Sequence, residues 1–168
     1  MSFKFINRLF RHLFIWPGST KKYFSPAAMA RISAAIVQSE HTHWGEIFFV
    51  IEVNLPIWDV FRNKSAQQRA VEIFAQTHVW DTELNNGVLI YLLLADHHFE
   101  ILADRGIHHH VGPYGWEKVC REMEQLFLQG EFESGIMVGI GKIGAHLKKH
   151  FPGNGEKINE LSDTPLIL

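Results

Sequence analysis

Two nearly continuous apolar runs dominate the middle of the chain. They are EIFFVIEV at 46–53 and VLIYLLLA at 88–95, and both are rich in β-branched and aromatic residues. Strands that are covered on both faces have this composition, so both runs predict buried strands. The segment FEILAD at 99–104 alternates apolar and polar residues, which predicts a third strand that returns antiparallel after a tight turn at 96–98.

Helical periodicity fills much of the remaining chain. Ser25-Pro26 supplies a cap and a first-turn proline for a helix that runs to about residue 39. A second helix is predicted at 65–78, with Ser65 as its cap. Apolar residues then recur at spacings of three and four over 116–127 and 132–147, which predicts two amphipathic helices. We expect the first of these to open at Gly112-Pro113.

The order of these elements predicts the fold class. A strand, a helix and a strand form a β-α-β unit, whose two strands are parallel. The third strand adds an antiparallel hairpin partner, so the chain is expected to be an α/β protein with helices on both faces of a small mixed sheet. Three segments divide the chain: an arm at 1–24, a domain at 25–152 and an irregular tail at 153–168. Within the domain, 54–63 is predicted to be a loop.

The charge of the chain is uneven. The chain has 168 residues, 46% of them hydrophobic, and its net charge of −2 argues against a general nucleic-acid-binding surface. Residues 1–39, however, contain six lysines and arginines and no acid, together with several phenylalanines. This basic aromatic arm could pack on its own domain or on a second subunit, or residues 1–22 could make peripheral contact with an anionic membrane.

Cysteine content and the N-terminal pattern indicate a compartment. Cys120 is the single cysteine, so no internal disulfide can form and a reducing environment fits. The apolar run at 88–95 is far shorter than the ~20 residues that span a bilayer. Arg8, Arg11 and His12 interrupt the N-terminal apolar residues, unlike in a signal peptide. We therefore expect a cytoplasmic location, with peripheral contact at the inner face of the membrane as an alternative.

The predicted topology gathers polar segments at one edge of the sheet, where the parallel strands begin and the returning strand ends. Five candidate ligands for a metal ion lie there: Asp81, Glu83, Asn85, Asn86 and Asp104. Carboxylate and amide oxygens suit Ca²⁺ or Mg²⁺, and Arg105 could contact a phosphate group. The alternative is ordinary turn and cap chemistry, because Asn-Asn-Gly favours turns and aspartates cap backbone donors.

Other motifs carry less weight. GIGKIG at 139–144 has the dinucleotide-binding spacing but lies inside a helical pattern, so no nucleotide cofactor is expected. The histidines at 108–110 are adjacent and cannot converge on one ion from an extended loop. Cys120 lies on the apolar stripe of a helix, where a thiol is usually unreactive. No catalytic residue can therefore be named from the sequence.

The segments SPAAMARISAAI, GEIFFVIEV, VWDTELNNGVLIYLLLAD and FEILADRGI resemble the TPM-domain family over residues 24–152. This family includes thylakoid-lumen phosphatase-like photosystem repair proteins, and the chain is most similar to its soluble bacterial subgroup. The resemblance implies a three-layer α/β/α sandwich. It also implies divalent-cation binding at loops on one sheet edge, or acid phosphatase activity. Asn85, Asn86 and Asp104 match recurring polar positions of the family, and Glu46 matches the acid of its Gly-Glu pair.

These observations favour a divalent-cation-binding interaction module that docks on a protein partner, as yet unknown. The alternative is a metal-dependent acid phosphatase that acts on phosphomonoesters. The chain departs from the family at His43-Trp44, where many members carry two small hydroxyl residues. It also lacks the signal and membrane tail of the photosynthetic relatives, so a role in photosystem repair is not transferred.

Overall fold

A mixed sheet organises the chain, as a computed structural model shows for residues 3–15, 18, 20–153 and 158–168. Its strands are β1 (Glu46–Glu52), β2 (Gly87–Leu93), β3 (His98–Ala103) and β4 (Leu166–Ile167), in the order β3-β2-β1-β4. β1 pairs in parallel with β2 and β4, and β2 pairs antiparallel with β3. The predicted β-α-β unit and its hairpin partner are therefore confirmed. Residues 1–2, 16–17 and 19 of the predicted arm, and 154–157 of the predicted tail, lie outside the described residues.

Helices cover the sheet and begin at recognisable caps. They are α1 (Phe3–Phe14), α2 (Thr20–Tyr23), α3 (Pro26–Glu40), α4 (Ile57–Phe61), α5 (Ala66–Gln76), α6 (Arg105–Leu128) and α7 (Phe132–His150). Ser25 Oγ accepts from the Ala28 N–H at 3.1 Å, and Ser65 forms a capping box with Gln68. Both predicted helix starts are therefore confirmed. A serine at this position is favourable because it satisfies backbone donors that the first turn leaves free.

Alternating residues of the central strands enter two separate cores. Ile47, Phe49 and Ile51 pack with α3, α6 and α7 on one face of the sheet. Phe48 and Val50 pack with α4 and α5 on the other face. Every residue of β1 and β2 is buried, as the continuous apolar runs predicted. The chain is thus a three-layer α/β/α structure.

Two predictions of irregular structure were wrong, each because of a tertiary contact. The predicted loop at 54–63 contains α4, whose Val60 is buried in the second core. The predicted irregular tail at 153–168 contains β4, where Leu168 N–H donates to Ile51 O at 2.9 Å and satisfies the open edge of β1. α6 consists of two helical segments that meet at a kink at Gly112 (φ 69°), so the helix predicted to open at Gly112-Pro113 is present and is preceded by an additional helical segment that begins at Arg105.

A polar cluster attaches α1 to the domain at the opposite end of the sheet from the predicted metal ligands. Arg8 Nε donates to Asp96 Oδ2 at 3.0 Å, and its Nη2 donates to the Lys64 carbonyl oxygen at 2.6 Å. His12, which is only 3% exposed, accepts from the Leu55 N–H through Nδ1 at 3.0 Å. Its Nε2 therefore carries the proton and donates to Asp96 Oδ1 at 3.2 Å. The arm packs on its own domain through this cluster, one of the arrangements expected from the sequence.

The electrostatics of Asp96 follow from these contacts. Burial by itself raises the pKa of a carboxyl group, but the hydrogen bonds from His12 and Arg8 outweigh burial and lower the pKa of Asp96 to about 2. None of the helices in the described part of the chain is long and apolar enough to cross a membrane.

Replacing Asp96 with asparagine should weaken the attachment of α1. We expect Asp96→Asn to lower the free energy of unfolding by about 1–3 kcal/mol at neutral pH, because Arg8 and His12 lose a charged partner. Urea denaturation measures this change. Because the folded pKa is depressed from 3.8 to about 2, the contribution is present above the ordinary pKa and is lost as the pH falls through that window.

The matched control is Glu117→Gln, which removes an exposed ion pair with Arg121 on α6. This change should alter stability by less than about 0.5 kcal/mol. Equal losses in the two variants would contradict a specific anchoring role for Asp96.

Candidate functional site

The candidate site is the edge where β2 begins and β3 ends, which we define as residues 82–87 and 104–107 and call the rim. Backbone hydrogen bonds join its two segments: Asp104 N–H donates to Gly87 O at 2.9 Å, and Ile107 N–H donates to Asn85 O at 3.2 Å. Asn85 adopts a left-handed conformation (φ 53°), which asparagine tolerates well. Gly106 lies against the Asn85 carbonyl oxygen, where a Cβ would collide with it. The rim is therefore a closely fitted turn.

Two buried side chains of the rim have polar atoms without hydrogen-bond partners. Asp104 is 7% exposed; its Oδ1 accepts from the Arg105 N–H at 2.6 Å, whereas its Oδ2 is buried and unpartnered. Asn86 is 0% exposed; its Oδ1 accepts from Thr82 Oγ1 at 3.3 Å, whereas its Nδ2 is unpartnered. Buried polar atoms in proteins are nearly always satisfied, so these two mark where a ligand would be favourable.

The other predicted site residues lie further towards solvent. Arg105 is exposed, and its Nε donates to Asn85 Oδ1 at 2.9 Å. Asp81 and Glu83 are also exposed, and the Glu83 N–H donates to the Glu160 carboxylate at 3.1 Å. Among the described residues, no three His, Cys, Asp or Glu side chains are grouped so as to hold a metal ion. The rim thus combines one buried carboxylate with neutral amides.

Glu46 has a structural role beside the rim. It is fully buried, and its carboxylate accepts from the backbone N–H groups of Glu160 and Leu161 at 3.3 and 3.4 Å. These bonds hold the segment that leads into β4.

His43 is also fully buried, and its Nδ1 and Nε2 contact Gly45 O and Ser39 Oγ at 3.1 and 3.0 Å. His43, one of the two residues that depart from the family pattern, therefore secures the connection between α3 and β1.

The three adjacent histidines lie in the first turns of α6, so their prediction as loop residues was wrong. Asp104 caps this helix, which brings residues 105–110 into helical conformation before Gly112. All three histidines are exposed, and the His110 ring stacks on His150 of α7 with centroids 4.8 Å apart. Adjacent side chains on a helix diverge by about 100°, so they still do not converge on one ion.

GIGKIG lies within α7, where Gly144 lets Ser39 of α3 approach closely.

A buried polar group around Glu52 escaped sequence reasoning. Glu52, 3% exposed at the end of β1, accepts from Tyr91 Oη at 2.6 Å and from Arg69 Nε at 2.9 Å. Burial and the negative charge of Glu52 raise the pKa of Tyr91 strongly. The signal in the sequence was an acid inside an otherwise apolar strand, which requires a buried partner. This group attaches α5 to the sheet.

A cleft of about 490 Å³ lies between β3 and α6 and is lined by residues that include His98, Glu100, Cys120 and Glu124. His98 Nε2 contacts Glu100 Oε1 at 2.9 Å. Burial, followed by the charges of the nearby glutamates, raises the pKa of the Cys120 thiol to about 11. The thiol is therefore protonated at neutral pH and a poor nucleophile.

The close fit of Gly106 can be tested by adding one methyl group. We expect Gly106→Ala to cost about 1–3 kcal/mol of stability, because the new Cβ displaces the Asn85 carbonyl oxygen and spreads the rim. Amide chemical shifts of residues 84–87 should change most. The measurements are urea denaturation and a two-dimensional amide NMR spectrum.

Gly141→Ala is the matched control, since a Cβ there meets nothing within 4 Å. It should stabilise the helix by about 0.5–1 kcal/mol, because alanine loses less backbone entropy than glycine. If both variants were stabilised, the rim would not be closely packed at Gly106.

Comparison with known proteins agrees with this architecture. The family model of the TPM domain matches residues 19–146. The NMR structure of the BA42 protein from the psychrophilic bacterium Bizionia argentinensis is similar, with a TM-score of 0.77 and 30% sequence identity, over 86% of this chain and 95% of that one. No curated protein matches the chain. On its sequence and its fold, the chain belongs to the TPM-domain family.

Proposed function

We propose that this protein is an interaction module that binds a divalent cation, Ca²⁺ or Mg²⁺, at the rim and contacts a protein partner there. The observation that carries the proposal is Asp104, a buried acid whose Oδ2 has no hydrogen-bond partner. A buried carboxylate oxygen without a partner is costly, and a hard cation is a natural counter-charge for it.

The neighbouring amides suit the same ion. The amide of Asn86 can turn by about 180°, so that its Nδ2 donates to Thr82 Oγ1 and its Oδ1 takes the unpartnered position. The cation would then meet oxygen atoms of Asp104 and Asn86, with Asn85 Oδ1 recruited if Arg105 releases it. Asp81 and Glu83 would add attraction from the exposed side. When bound, the ion supplies positive charge that holds the start of β2 against the start of α6.

This donor set predicts weak binding. One buried carboxylate with neutral amides carries little negative charge, and sites of low charge bind Ca²⁺ with dissociation constants of about 10⁻⁴ to 10⁻³ M. Such a site would respond to millimolar changes in cation concentration and would suit a conditional contact with a partner.

The metal-dependent phosphatase remains the second candidate and is less favoured. Arg105, the proposed phosphate contact, already donates its Nε to Asn85. The first-turn N–H groups of Arg105, Ile107 and His108 already donate to Asp104 Oδ1, Asn85 O and Asp104 O. A phosphate group at the rim would have to displace these bonds, whereas a cation would add a partner to an atom that lacks one.

Asp104→Asn tests the cation proposal without removing the helix cap, since asparagine caps helices as well as aspartate. In the wild type, Ca²⁺ should shift the amide signals of residues 82–87 and 104–107 saturably, with a midpoint of about 0.1–1 mM. In the variant, we expect affinity at least about tenfold lower. Asp163→Asn makes the same chemical change in the C-terminal segment and should leave the titration unchanged.

Absence of shifts at millimolar Ca²⁺ and Mg²⁺ would reject the cation site and leave the rim as turn and cap chemistry. The wild type and Asp104→Asn also distinguish cation binding from phosphatase activity. Release of p-nitrophenol from p-nitrophenyl phosphate by the wild type, with loss in Asp104→Asn, would favour the phosphatase. Equal residual turnover in both proteins would mean that a contaminant is responsible.

A further inference from the structure

α1 is an amphipathic helix that packs on the domain through its polar face and leaves its apolar face exposed to solvent. Its polar residues Arg8 and His12 face the protein and bind Asp96. Its large apolar side chains face solvent instead; Phe3 and Phe14 are 76% and 75% exposed. Ile6, Phe10 and Leu13 share this exposed face. Surface helices normally bury the apolar stripe, so an outward stripe calls for an apolar environment outside the domain.

The exposed apolar surface extends onto α4. Phe61 packs against Phe5 of α1 with ring centroids 5.9 Å apart, and against Trp58 at 6.1 Å. Trp58 is 73% exposed. We define the arm patch by its exposed residues on both helices: Phe3, Ile6, Phe10, Leu13, Phe14, Trp58 and Phe61. Five of these seven residues are aromatic, a composition that suits the interfacial region of a bilayer.

Positive charge accompanies the arm patch. The Arg11 side chain is 52% exposed although its Nη2 also contacts Asp96 Oδ1 at 3.4 Å, and Lys21 and Lys22 of α2 are exposed as well. Residues 1–39 contain no acid. Two acids of the neighbouring segments are already engaged, since Asp96 binds Arg8 and Asp59 binds Lys64. The surface around the exposed helix is therefore suited to a negatively charged partner.

We propose that the arm patch docks on the surface of an anionic phospholipid bilayer, with α1 lying parallel to it. Amphipathic helices with aromatic residues on one face and cations at its border bind in this way, through apolar burial and attraction to lipid headgroups. Asp96 holds α1 with its apolar face outwards, so the membrane-binding surface is formed before contact. In a cytoplasmic protein, the matching surface is the inner leaflet of the membrane.

A second copy of the chain is a poorer occupant of the same surface. An isologous contact across the arm patch would bring Arg11, Lys21 and Lys22 of each subunit into the same interface. Like charges juxtaposed across an interface oppose association, whereas anionic headgroups neutralise them. This inference does not depend on cation binding at the rim, which lies at the other end of the sheet.

Vesicle flotation with the intact protein tests the proposal. We expect binding to vesicles of phosphatidylcholine with about 30 mol% phosphatidylglycerol, and little binding to phosphatidylcholine. The double variant Phe10→Ser/Phe14→Ser should bind at least about tenfold more weakly, because two exposed apolar anchors are lost. Leu128→Ser, which alters an 81% exposed residue on α6, is the matched control and should bind like the wild type.

A second variant tests the electrostatic contribution without touching the apolar residues. Lys21→Gln/Lys22→Gln should also weaken binding to the anionic vesicles, and added salt should reduce binding of the wild type. Circular dichroism verifies that each variant is folded. An intact protein that never floats with anionic vesicles would overturn the proposal. So would binding that the Phe10→Ser/Phe14→Ser variant retains, or a dimer in solution that this variant converts to monomer.

Discussion

The parallel pairing of β1 with β2, buried on both faces, is the constraint from which the rest of the structure follows. Neither strand has a face that can meet water, so helices must cover both sides of the sheet. The direction of the strands then determines at which ends of the sheet polar groups can reach the surface. The amino ends of the pair and the end of β3 meet at the rim, and the carboxyl ends meet α1. Polar chemistry is thereby confined to two opposite ends of a doubly covered sheet.

At these ends Glu46 and Glu52 are buried and Asp96 is partly buried, and each of the three has its own partner. Glu46 accepts backbone N–H groups from the C-terminal segment, Glu52 accepts from Arg69 and Tyr91, and Asp96 accepts from Arg8 and His12. Unpaired burial of any of them would cost several kcal/mol. Against this pattern, the unpartnered Oδ2 of Asp104 is distinctive. This unpartnered oxygen is the reason for proposing a cation site at the rim.

The two proposed surfaces have different physical origins. The rim is a turn of closely fitted backbone in which one buried carboxylate oxygen lacks a partner. The arm patch arises because Arg8 and His12 bind Asp96, which leaves the apolar face of α1 exposed. A TPM-domain protein with both proposed surfaces would meet a membrane at one end of its sheet and a cation-dependent partner at the other. Neither surface requires the other in order to form.

Local signals in the sequence determined the elements of this protein. The apolar runs predicted β1 and β2, and Ser25 and Ser65 predicted helix starts, because burial pattern and capping depend on residues close in the chain. The β-α-β topology followed, and with it the rim that holds Asn85, Asn86 and Asp104. The family resemblance added the three-layer arrangement that the fold confirmed.

Only the tertiary structure decided which distant residues meet. Arg8 and Asp96 are 88 positions apart, and no local pattern pairs them. β4 exists because the edge of β1 has free backbone groups, which the distant C-terminal segment pairs. Most of all, the periodicity of α1 states which residues share a face of the helix. It does not state which face turns inwards, and here Asp96, a partly buried carboxylate far away in the sequence, binds the polar face.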